Sequence, residues 1–353
     1  MILPASTLAT LLILVFAMLA WGSWANTQKL AGKWRFELYY YDFTFGFLLL
    51  TVLAAFTLGS LNTGELTFQE NFLITGYRNM AYALGAGMVF NFGNLFLAAT
   101  ISIAGLSVAF PVALGMALVV STGLGIATGA QGSVLLSVAG AGLVLAALAI
   151  TAYAYSGHLD MIAEATKKAG LQLDPRSKTA KRAPRPASAA QAVVLGMISG
   201  IALGVYRPVV ELARESENGL APYGLALLFA AGMALTTLVL SPFFFNFPVA
   251  GSPVRFRDYF KGTGRQHLLG VFGGLLAGAA LLGLFVAASV PATARLAPSV
   301  GFALSQSATL LAALWGLLVW HEFKGSSDQT RTLIWGMLLL FAIGIALISL
   351  GQT

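Results

Sequence analysis

Ten apolar stretches of about 20 residues limit what this chain can fold into, because that length is what an α-helix needs to cross the hydrocarbon core of a bilayer. Lipid offers no hydrogen-bond partners, so each stretch has to satisfy its own backbone groups, as a helix does. The sequence therefore predicts an all-α membrane protein with ten transmembrane helices, the first of them retained and not removed as a signal peptide. The stretches lie near residues 3–23, 41–60, 79–98, 101–126, 133–154, 190–212, 222–245, 267–289, 297–320 and 332–350.

The composition agrees with a membrane protein and excludes several other classes. Hydrophobic residues make up 58% of the 353 residues and charged residues only 9%, which is too little polar surface for a soluble domain. The sequence contains no cysteine, which excludes disulfides and thiolate metal sites. It also contains no HExxH, GxSxG or GxxxxGKS/T motif, so we expect neither an enzyme nor an ATP-driven pump, and no cofactor.

Basic residues are distributed unevenly between the connections, and their distribution predicts the orientation. Of the 20 lysines and arginines, all but Arg78, Arg207, Arg214 and Arg295 fall in the odd-numbered connections. Because cytoplasmic loops are enriched in Lys and Arg, we expect these connections in the cytoplasm and both termini outside it, in a plasma or inner membrane. The same distribution accounts for the net charge of +7 without a nucleic-acid partner.

A polar, basic segment near the middle of the chain separates five apolar stretches from the next five. It covers residues 156–188, between a first half, 1–155, and a second half, 189–353. A duplicated unit with an odd number of helices enters the membrane upside down the second time, as in many secondary transporters. A shift of 182 positions also places Gly22–Ala31 on Gly204–Ala213, with a glycine, an aromatic residue and Leu-Ala in common. We therefore predict two inverted five-helix repeats joined by a cytoplasmic linker.

Side-chain amides within or beside the apolar stretches are candidate groups for binding a solute. Asn91 and Asn94 lie on one face of the third stretch, Gln306 lies in the ninth, and Asn26 follows the first. An amide in hydrocarbon costs free energy unless it has a partner, so it should face protein or water. Two roles stay open at this point. The amides either join helices by hydrogen bonds or converge on a solute in a cavity near the bilayer midplane.

Aromatic and acidic residues complete the set of candidates. Trp24 and Tyr206 occupy matching positions of the two halves and could form the walls of a transport cavity for a planar solute. Asp42, Glu211 and Glu322 lie near the ends of apolar stretches and are candidates for coupling transport to protons. Because no acidic residue lies in the middle of a stretch, we expect an uncharged cavity, which favours a neutral, hydrogen-bonding solute.

Four segments together resemble a known family. They are WGSWANTQKLAGKWRFELYYYDFTFG at 21–46, FNFGNLFLAATISIAGLSVAFPVALG at 90–115, SPFFFNFPVAGSPV at 241–254 and WGLLVWHEFKGSS at 315–327. The chain resembles the ureide permeases of the drug/metabolite transporter superfamily, to which bacterial glucose- and rhamnose-uptake permeases are related. The resemblance implies a ten-helix carrier that imports allantoin, uracil, xanthine or related cyclic amides together with protons.

Three functions are therefore compared. The first is a secondary transporter for a small neutral polar solute of the ureide or nucleobase class, working by alternating access with protons as the candidate coupling ion. The second is a sugar permease of the glucose or rhamnose type. The third is a membrane receptor or scaffold that transports nothing.

Overall fold

The structure, a computed structural model, describes residues 1–62, 64, 66–129, 132–171, 188–215 and 218–352, with the side chains of 169–171 excepted. Within these residues its regular secondary structure is helical throughout. The α-helices are α1 (Thr7–Ser23), α2 (Ala25–Leu30), α3 (Phe36–Phe56), α4 (Phe68–Ile74), α5 (Tyr77–Ala104), α6 (Leu106–Ala127), α7 (Val134–Leu171), α8 (Ala189–Arg214), α9 (Pro222–Asn246), α10 (Gly264–Ala288), α11 (Pro298–Leu314) and α12 (Asp328–Leu350). Short 3₁₀ turns lie at Leu58–Ser60, Phe256–Lys261 and Ala292–Ala294, and a π-helical turn at Trp315–Val319 continues α11.

Ten helical segments of the described chain are long and apolar enough to cross a membrane. The first consists of α1 and α2 together, and the others are α3 and α5 to α12. The predicted number of transmembrane helices is therefore confirmed. Four of these segments begin at a hydroxyl side chain that accepts the N–H of a residue in the first turn, which stabilises that end of the helix; these residues are Ser6, Ser188, Thr263 and Ser327.

Two helices extend farthest beyond the ends expected from hydropathy. The third stretch continues to Ala104, and only Gly105 separates it from α6, because Gly105 adopts a φ of 80° that ends the helix inside an apolar run. The helix α7 continues past residue 154 to Leu171, since its alanines, glutamate and lysines favour a helix in water as well as in lipid. Most of the expected linker, 172–187, lies outside the described residues.

Contacts between the helices follow one pattern in both halves of the chain. The helix α5 packs against α8 and α9, and α10 packs against α1 and α3. The contact of α8 with α6 corresponds to that of α1 with α11. The contact of α7 with α6 corresponds to that of α12 with α11. If α1, α3, α5, α6 and α7 are matched with α8 to α12 in order, each of these contacts has a counterpart.

The close helix contacts at the centre of this pattern are made by glycines in reciprocal positions. In each contact a glycine of one helix meets a backbone carbonyl of the other and leaves no room for a β-carbon: Gly46 with Val271 and Gly274 with Phe43 between α3 and α10, and Gly232 with Leu84 and Gly87 with Phe229 between α9 and α5. Small residues of this kind let membrane helices approach until their backbones touch. The pairs α3/α10 and α5/α9 are therefore packed more closely than side chains would allow.

Candidate functional site

A cavity of about 360 Å³ lies between α1, α5, α6, α8, α10 and α11. Residues at the ends of α8 and α10 and at the start of α11 surround its mouth, including Arg214, Ala288 and Arg295. They lie at or beside the even-numbered connections. A volume of this size is at the lower end of the range for ligand cavities, so the cavity suits a small solute.

Aromatic rings form the inner wall of the cavity. The ring of Phe90 lies 5.1 Å from that of Tyr206 and 5.7 Å from that of Trp21, and all three residues line the cavity. Beyond them Trp24 is fully buried, with its ring 4.8 Å from that of Phe43. The cavity thus ends at an aromatic layer, against which a flat solute can stack.

Two polar side chains in the cavity have hydrogen-bonding capacity to spare. The Nε2 atom of Gln306 has only a long contact of 3.5 Å, to Ser305 Oγ, and within the described residues the hydroxyl of Tyr206 makes no hydrogen bond. An amide and a phenol can each donate and accept. Both can therefore bind a solute that carries N–H and C=O groups.

Charged side chains also line the cavity, which corrects the expectation that it would be uncharged. Arg207, Glu211, Arg214 and Arg295 all contribute to its surface. On α8 the side chains of Arg207 and Glu211 are one turn apart and share a face. Their positions in the sequence indicate only a role in topology, because the hydropathy of a helix does not tell which of its faces borders a cavity.

The structure brings together only part of the predicted site. Tyr206, Gln306 and Glu211 line the cavity, whereas the remaining candidates do not: Trp24, Asn26, Asn91, Asn94, Asp42 and Glu322. The expected convergence of Asn91 and Asn94 with Gln306 on one cavity is not seen in this structure. A role of the two asparagines in binding stays a prediction.

The two asparagines lie in a hydrogen-bond network that joins three helices. The hydroxyl of Tyr40 donates to Asn91 Oδ1 and accepts from Asn94 Nδ2, both at 2.9 Å. Asn91 Nδ2 donates to Thr237 Oγ1 at 2.9 Å and to the carbonyl of Met233 at 3.0 Å. Both asparagines are fully buried. In the described structure they join α3, α5 and α9. Of their four side-chain amide atoms, Asn94 Oδ1 is the one without a hydrogen-bond partner there.

Asn26 and its neighbours fix α2 to the end of α11. The indole N–H of Trp320 donates to Asn26 Oδ1 at 2.7 Å, and that of Trp315 donates to Ser23 Oγ at 3.0 Å. These contacts lie on the side of the aromatic layer away from the cavity. They make Asn26 part of the closed half of the protein.

The end of the bundle opposite the cavity mouth is closed around the carboxylate of Glu322. This carboxylate accepts the backbone N–H groups of Leu106 and Ser107 at 2.8 and 2.7 Å, and it forms an ion pair with Lys29. The positive end of the α6 dipole and an ammonium group therefore stabilise one anion together. We call Lys29, Glu322 and the first turn of α6 the closed end.

Local backbone geometry explains how Glu322 reaches α6. The π-helical turn is followed by His321 with a φ of 50°, after which the N–H of Glu322 returns to the carbonyl of Gly316 at 3.1 Å. Gly105 and Gly316 border the carboxylate so closely that a β-carbon at either position would collide with it. Glycine at both positions is thus a requirement of this contact.

Asp42 lies in a second polar cluster on the same side of the bundle as the closed end. Its carboxylate, 5% exposed, accepts a hydrogen bond from the hydroxyl of Tyr259 at 2.5 Å and lies 2.8 Å from His267 Nδ1. Burial, together with the hydrogen bond to Asp42, raises the pKa of Tyr259 above its ordinary value. Tyr259 therefore stays a donor at neutral pH and holds the connection after α9 against α3 and α10.

Sequence reasoning missed Arg207 and Lys29 as functional candidates. A basic residue well inside an apolar stretch was a signal for Arg207, since charge at that depth is costly unless it faces water or protein. Lys29 stood in the first segment of the family resemblance, and Glu322 and the Gly105–Ser107 turn stood in two others. Nothing in the sequence indicates that these three segments meet.

Comparison with known proteins finds one protein that is similar over part of the chain and one solved structure with a similar fold. No known family model matches the chain. Over an alignment of 168 positions, which covers 44% of this chain and 40% of the other protein, the chain is 26% identical to Ureide permease 1 of Arabidopsis thaliana. A solved structure described only as a crystal structure of a protein has 18% identity and a TM-score of 0.53, over 95% of this chain and 96% of the other, a likeness of fold alone. With ten apolar helical segments in its described residues, the chain is a helical membrane protein.

Proposed function

We propose that the protein is a secondary transporter that moves a small polar solute of the ureide or nucleobase class by alternating access. One observation carries this proposal. The lining of the cavity reaches one end of the bundle and does not include Lys29 or Glu322, which form an ion pair towards the opposite end. A carrier captured with one side open has this arrangement.

Two inverted five-helix repeats account for the pattern of helix contacts. The counterpart contacts of α1 to α7 and α8 to α12 are those that a two-fold relation between the halves produces. Gly22 meets the carbonyl of Ala308 on α11, and Gly204 meets the carbonyl of Ala117 on α6. These glycines are the residues that the 182-position shift superposes. The local geometry and the sequence repeat thus support the same division of the chain.

The direction of the cavity follows from the distribution of charge. Its mouth lies at the even-numbered connections, and the closed end lies at the odd-numbered connections that carry most of the lysines and arginines. Basic connections are retained in the cytoplasm. On this basis the cavity opens to the outside, and the protein takes up its solute into the cell.

The substrate class rests on the lining of the cavity and on the relative. Trp21, Phe90 and Tyr206 offer aromatic faces, and Gln306 offers a donor and an acceptor. Ureides and nucleobases present flat groups in which N–H and C=O alternate, which such a surface binds. The partial likeness to a ureide permease supports the same class. The neutrality of the solute is not part of this proposal, since it depended on an uncharged cavity.

Proton coupling is the proposed energy source, and two carboxylates are candidates for it. Asp42 faces His267 and Tyr259 on the closed side, and Glu211 pairs with Arg214 at the mouth of the cavity. A carboxylate on each side of a carrier can exchange its proton as that side opens. Uptake that is unchanged by a pH gradient would contradict this part of the proposal.

Uptake by the purified full-length protein in proteoliposomes tests the function. We expect uptake of labelled allantoin or uracil without ATP, and competition by unlabelled ureide but not by glucose. Gln306→Ala should weaken solute affinity by about 5- to 150-fold, the effect of losing one or two hydrogen bonds. The adjacent Ser307→Ala is the control, because its hydroxyl bonds the carbonyl of Ala303 and does not line the cavity. Uptake of glucose alone would establish a sugar permease, and folded protein that transports neither would indicate a receptor or scaffold.

A further inference from the structure

One arginine in the cavity differs from all the other charged groups there. Arg214 Nη2 lies 2.5 Å from Glu211 Oε2, and its Nη1 donates to the carbonyl of Ala288 at 2.6 Å. Arg295 donates to the carbonyl of Val290 at 3.4 Å. Arg207, by contrast, makes no hydrogen bond or ion pair with any residue that the structure describes. Its five N–H donors are available to whatever enters the cavity.

Arg207 lies deep in the membrane-spanning part of α8. It lies seven residues before the end of α8 at Arg214, which is about 10 Å along the helix axis, beside Tyr206 on the cavity wall. A guanidinium at such depth in a membrane protein is costly unless a function retains it. Among the described residues, Glu211 is the only acidic residue on the cavity surface, and it is already paired with Arg214. The cavity therefore has an uncompensated positive charge within reach of its aromatic wall.

The contact with Phe302 orients the guanidinium of Arg207 for binding an oxyanion. The Cζ atom of Arg207 lies over the ring of Phe302 at 5.6 Å from its centroid. Packing against an aromatic ring orients the planar guanidinium while its N–H groups stay free. A guanidinium fixed in this way binds a carboxylate or another delocalised oxyanion through two parallel hydrogen bonds.

We propose that Arg207 binds an anionic group of the transported solute, so that the preferred substrate is a small ureido or pyrimidine-like monoanion and a neutral cyclic amide of the same class binds more weakly. This inference rests on the proposed function and narrows its substrate class. In the bound state the oxyanion lies against Arg207, while Gln306 and Tyr206 bind the N–H and C=O groups. The aromatic residues Trp21 and Phe90 contact the flat part of the solute.

Two matched pairs of probes separate charge from shape. Allantoate and allantoin share ureido groups, and orotate and uracil share a pyrimidine ring, but only the first member of each pair carries a carboxylate. Binding of all four to the purified full-length protein is measured by competition against one labelled probe and by ligand-induced thermal stabilisation. We expect the anion of at least one pair to bind at least about tenfold more tightly than its neutral partner, the effect of one charge-assisted hydrogen bond.

Variants of the arginine complete the test. Arg207→Gln should weaken binding of the anion by about 10- to 100-fold and that of the neutral partner by less than about threefold, since only the charged contact is lost. Arg207→Lys keeps the charge but loses the two-point contact, so its effect should be intermediate. Arg78→Gln is the control: Arg78 lies in the first turn of α5, where its Nε donates to the hydroxyl of Tyr82, and it does not line the cavity.

The possible results separate this inference from the proposed function. Tighter binding of the neutral member in both pairs, or an equal loss of both members in Arg207→Gln, would overturn the inference and leave ureide transport standing. Wild-type protein that is folded and binds none of the four probes would overturn both. If Arg207→Gln does not fold, the comparison of wild type with Arg207→Lys still decides the question.

Discussion

Lys29 and Glu322 form an ion pair between residues 293 positions apart, and the pair joins α2 to the turn that follows α11. The side chain of Glu322 is 9% exposed and that of Lys29 is 23% exposed. Besides Lys29, this largely buried carboxylate accepts two backbone N–H groups, so several contacts hold it at the start of α6. In the proposed carrier, this pair would keep one side shut and would separate when that side opens.

Replacing Lys29 by methionine should weaken the closed end. We expect the free energy of unfolding to fall by about 1–3 kcal/mol, since a charge-assisted contact to a largely buried carboxylate is lost while part of the pair is solvated. Because the sequence has no cysteine, a single Gln28→Cys reports on the opening. Gln28 is 7% exposed, and the cysteine should react with an impermeant thiol reagent faster in the Lys29→Met background.

The control for this experiment is Lys33→Met in the same Gln28→Cys background. Lys33 is an exposed basic residue of the same connection and makes no hydrogen bond or ion pair within the described chain. It should leave both stability and labelling unchanged. Equal labelling rates in the two backgrounds would show that the ion pair does not hold the closed end shut.

Gly105→Ala should displace Glu322 from the start of α6. The backbone at Gly105 has φ 80° and ψ −180°, a region that only glycine adopts without strain, and an alanine there costs about 1–3 kcal/mol. Its β-carbon would also collide with the carboxylate. Thermal unfolding of the purified protein should therefore show a larger loss for Gly105→Ala than for Gly325→Ala, whose φ is 82° with nothing within 4 Å.

A double mutant isolates the collision from the strain. In a Glu322→Ala background the clash is absent, so Gly105→Ala should cost less stability than it does in the wild type. Mutations of residues in contact couple in this way by about 0.5–3 kcal/mol. Strict additivity of the two changes would mean that Glu322 does not occupy the position described.

Tyr40→Phe should lower stability without changing solute affinity. The hydroxyl bonds Asn91 and Asn94 at once, and removing it leaves two fully buried amides short of a partner, a loss of about 1–2 kcal/mol. Thermal unfolding and solute binding are measured on the same preparation. Tyr77→Phe is the control, since Tyr77 is 90% exposed and should matter by less than about 0.5 kcal/mol. Weaker solute binding with unchanged stability would favour a binding role for the asparagines.

Two glycines on α5 should respond oppositely to the same substitution. Gly87→Ala places a β-carbon against the carbonyl of Phe229 and should destabilise the protein by about 1–3 kcal/mol through overpacking. Gly85→Ala meets nothing within 4 Å and should stabilise it by about 0.5–1 kcal/mol through helix propensity. Thermal unfolding of the two variants decides, and an equal response would contradict the close approach of α5 and α9.

The fold was predictable because one physical constraint dominates it. A backbone that crosses lipid has to be helical, so the number of transmembrane helices follows from the apolar stretches alone. The break at Gly105 was not visible in the same way, because hydropathy is unchanged across it. A helix end inside an apolar run depends on a backbone conformation, not on polarity.

The candidate site was less predictable, since periodicity gives the face of a helix but not its neighbour. Asn91 and Asn94 do share a face, as expected, but the group opposite them is Tyr40 on α3 and not a cavity. Gln306 and Tyr206 do line the cavity, yet nothing in a single sequence placed Arg207 beside them. Which helices adjoin each other is decided by contacts such as those of Gly87 and Gly274, whose partners lie far away in sequence.

The π-helical turn at Trp315–Val319 determines the direction in which the residues after it face. There the N–H of Trp320 bonds the carbonyl of Trp315, five residues back, at 3.1 Å, so the turn holds one residue more than an α-helix would. Deleting a single residue from it would restore the α-helix and rotate the following chain by about 100°. Glu322 would then face away from the start of α6 with its chemistry intact. Its function therefore depends on the length of this turn as much as on the carboxylate itself.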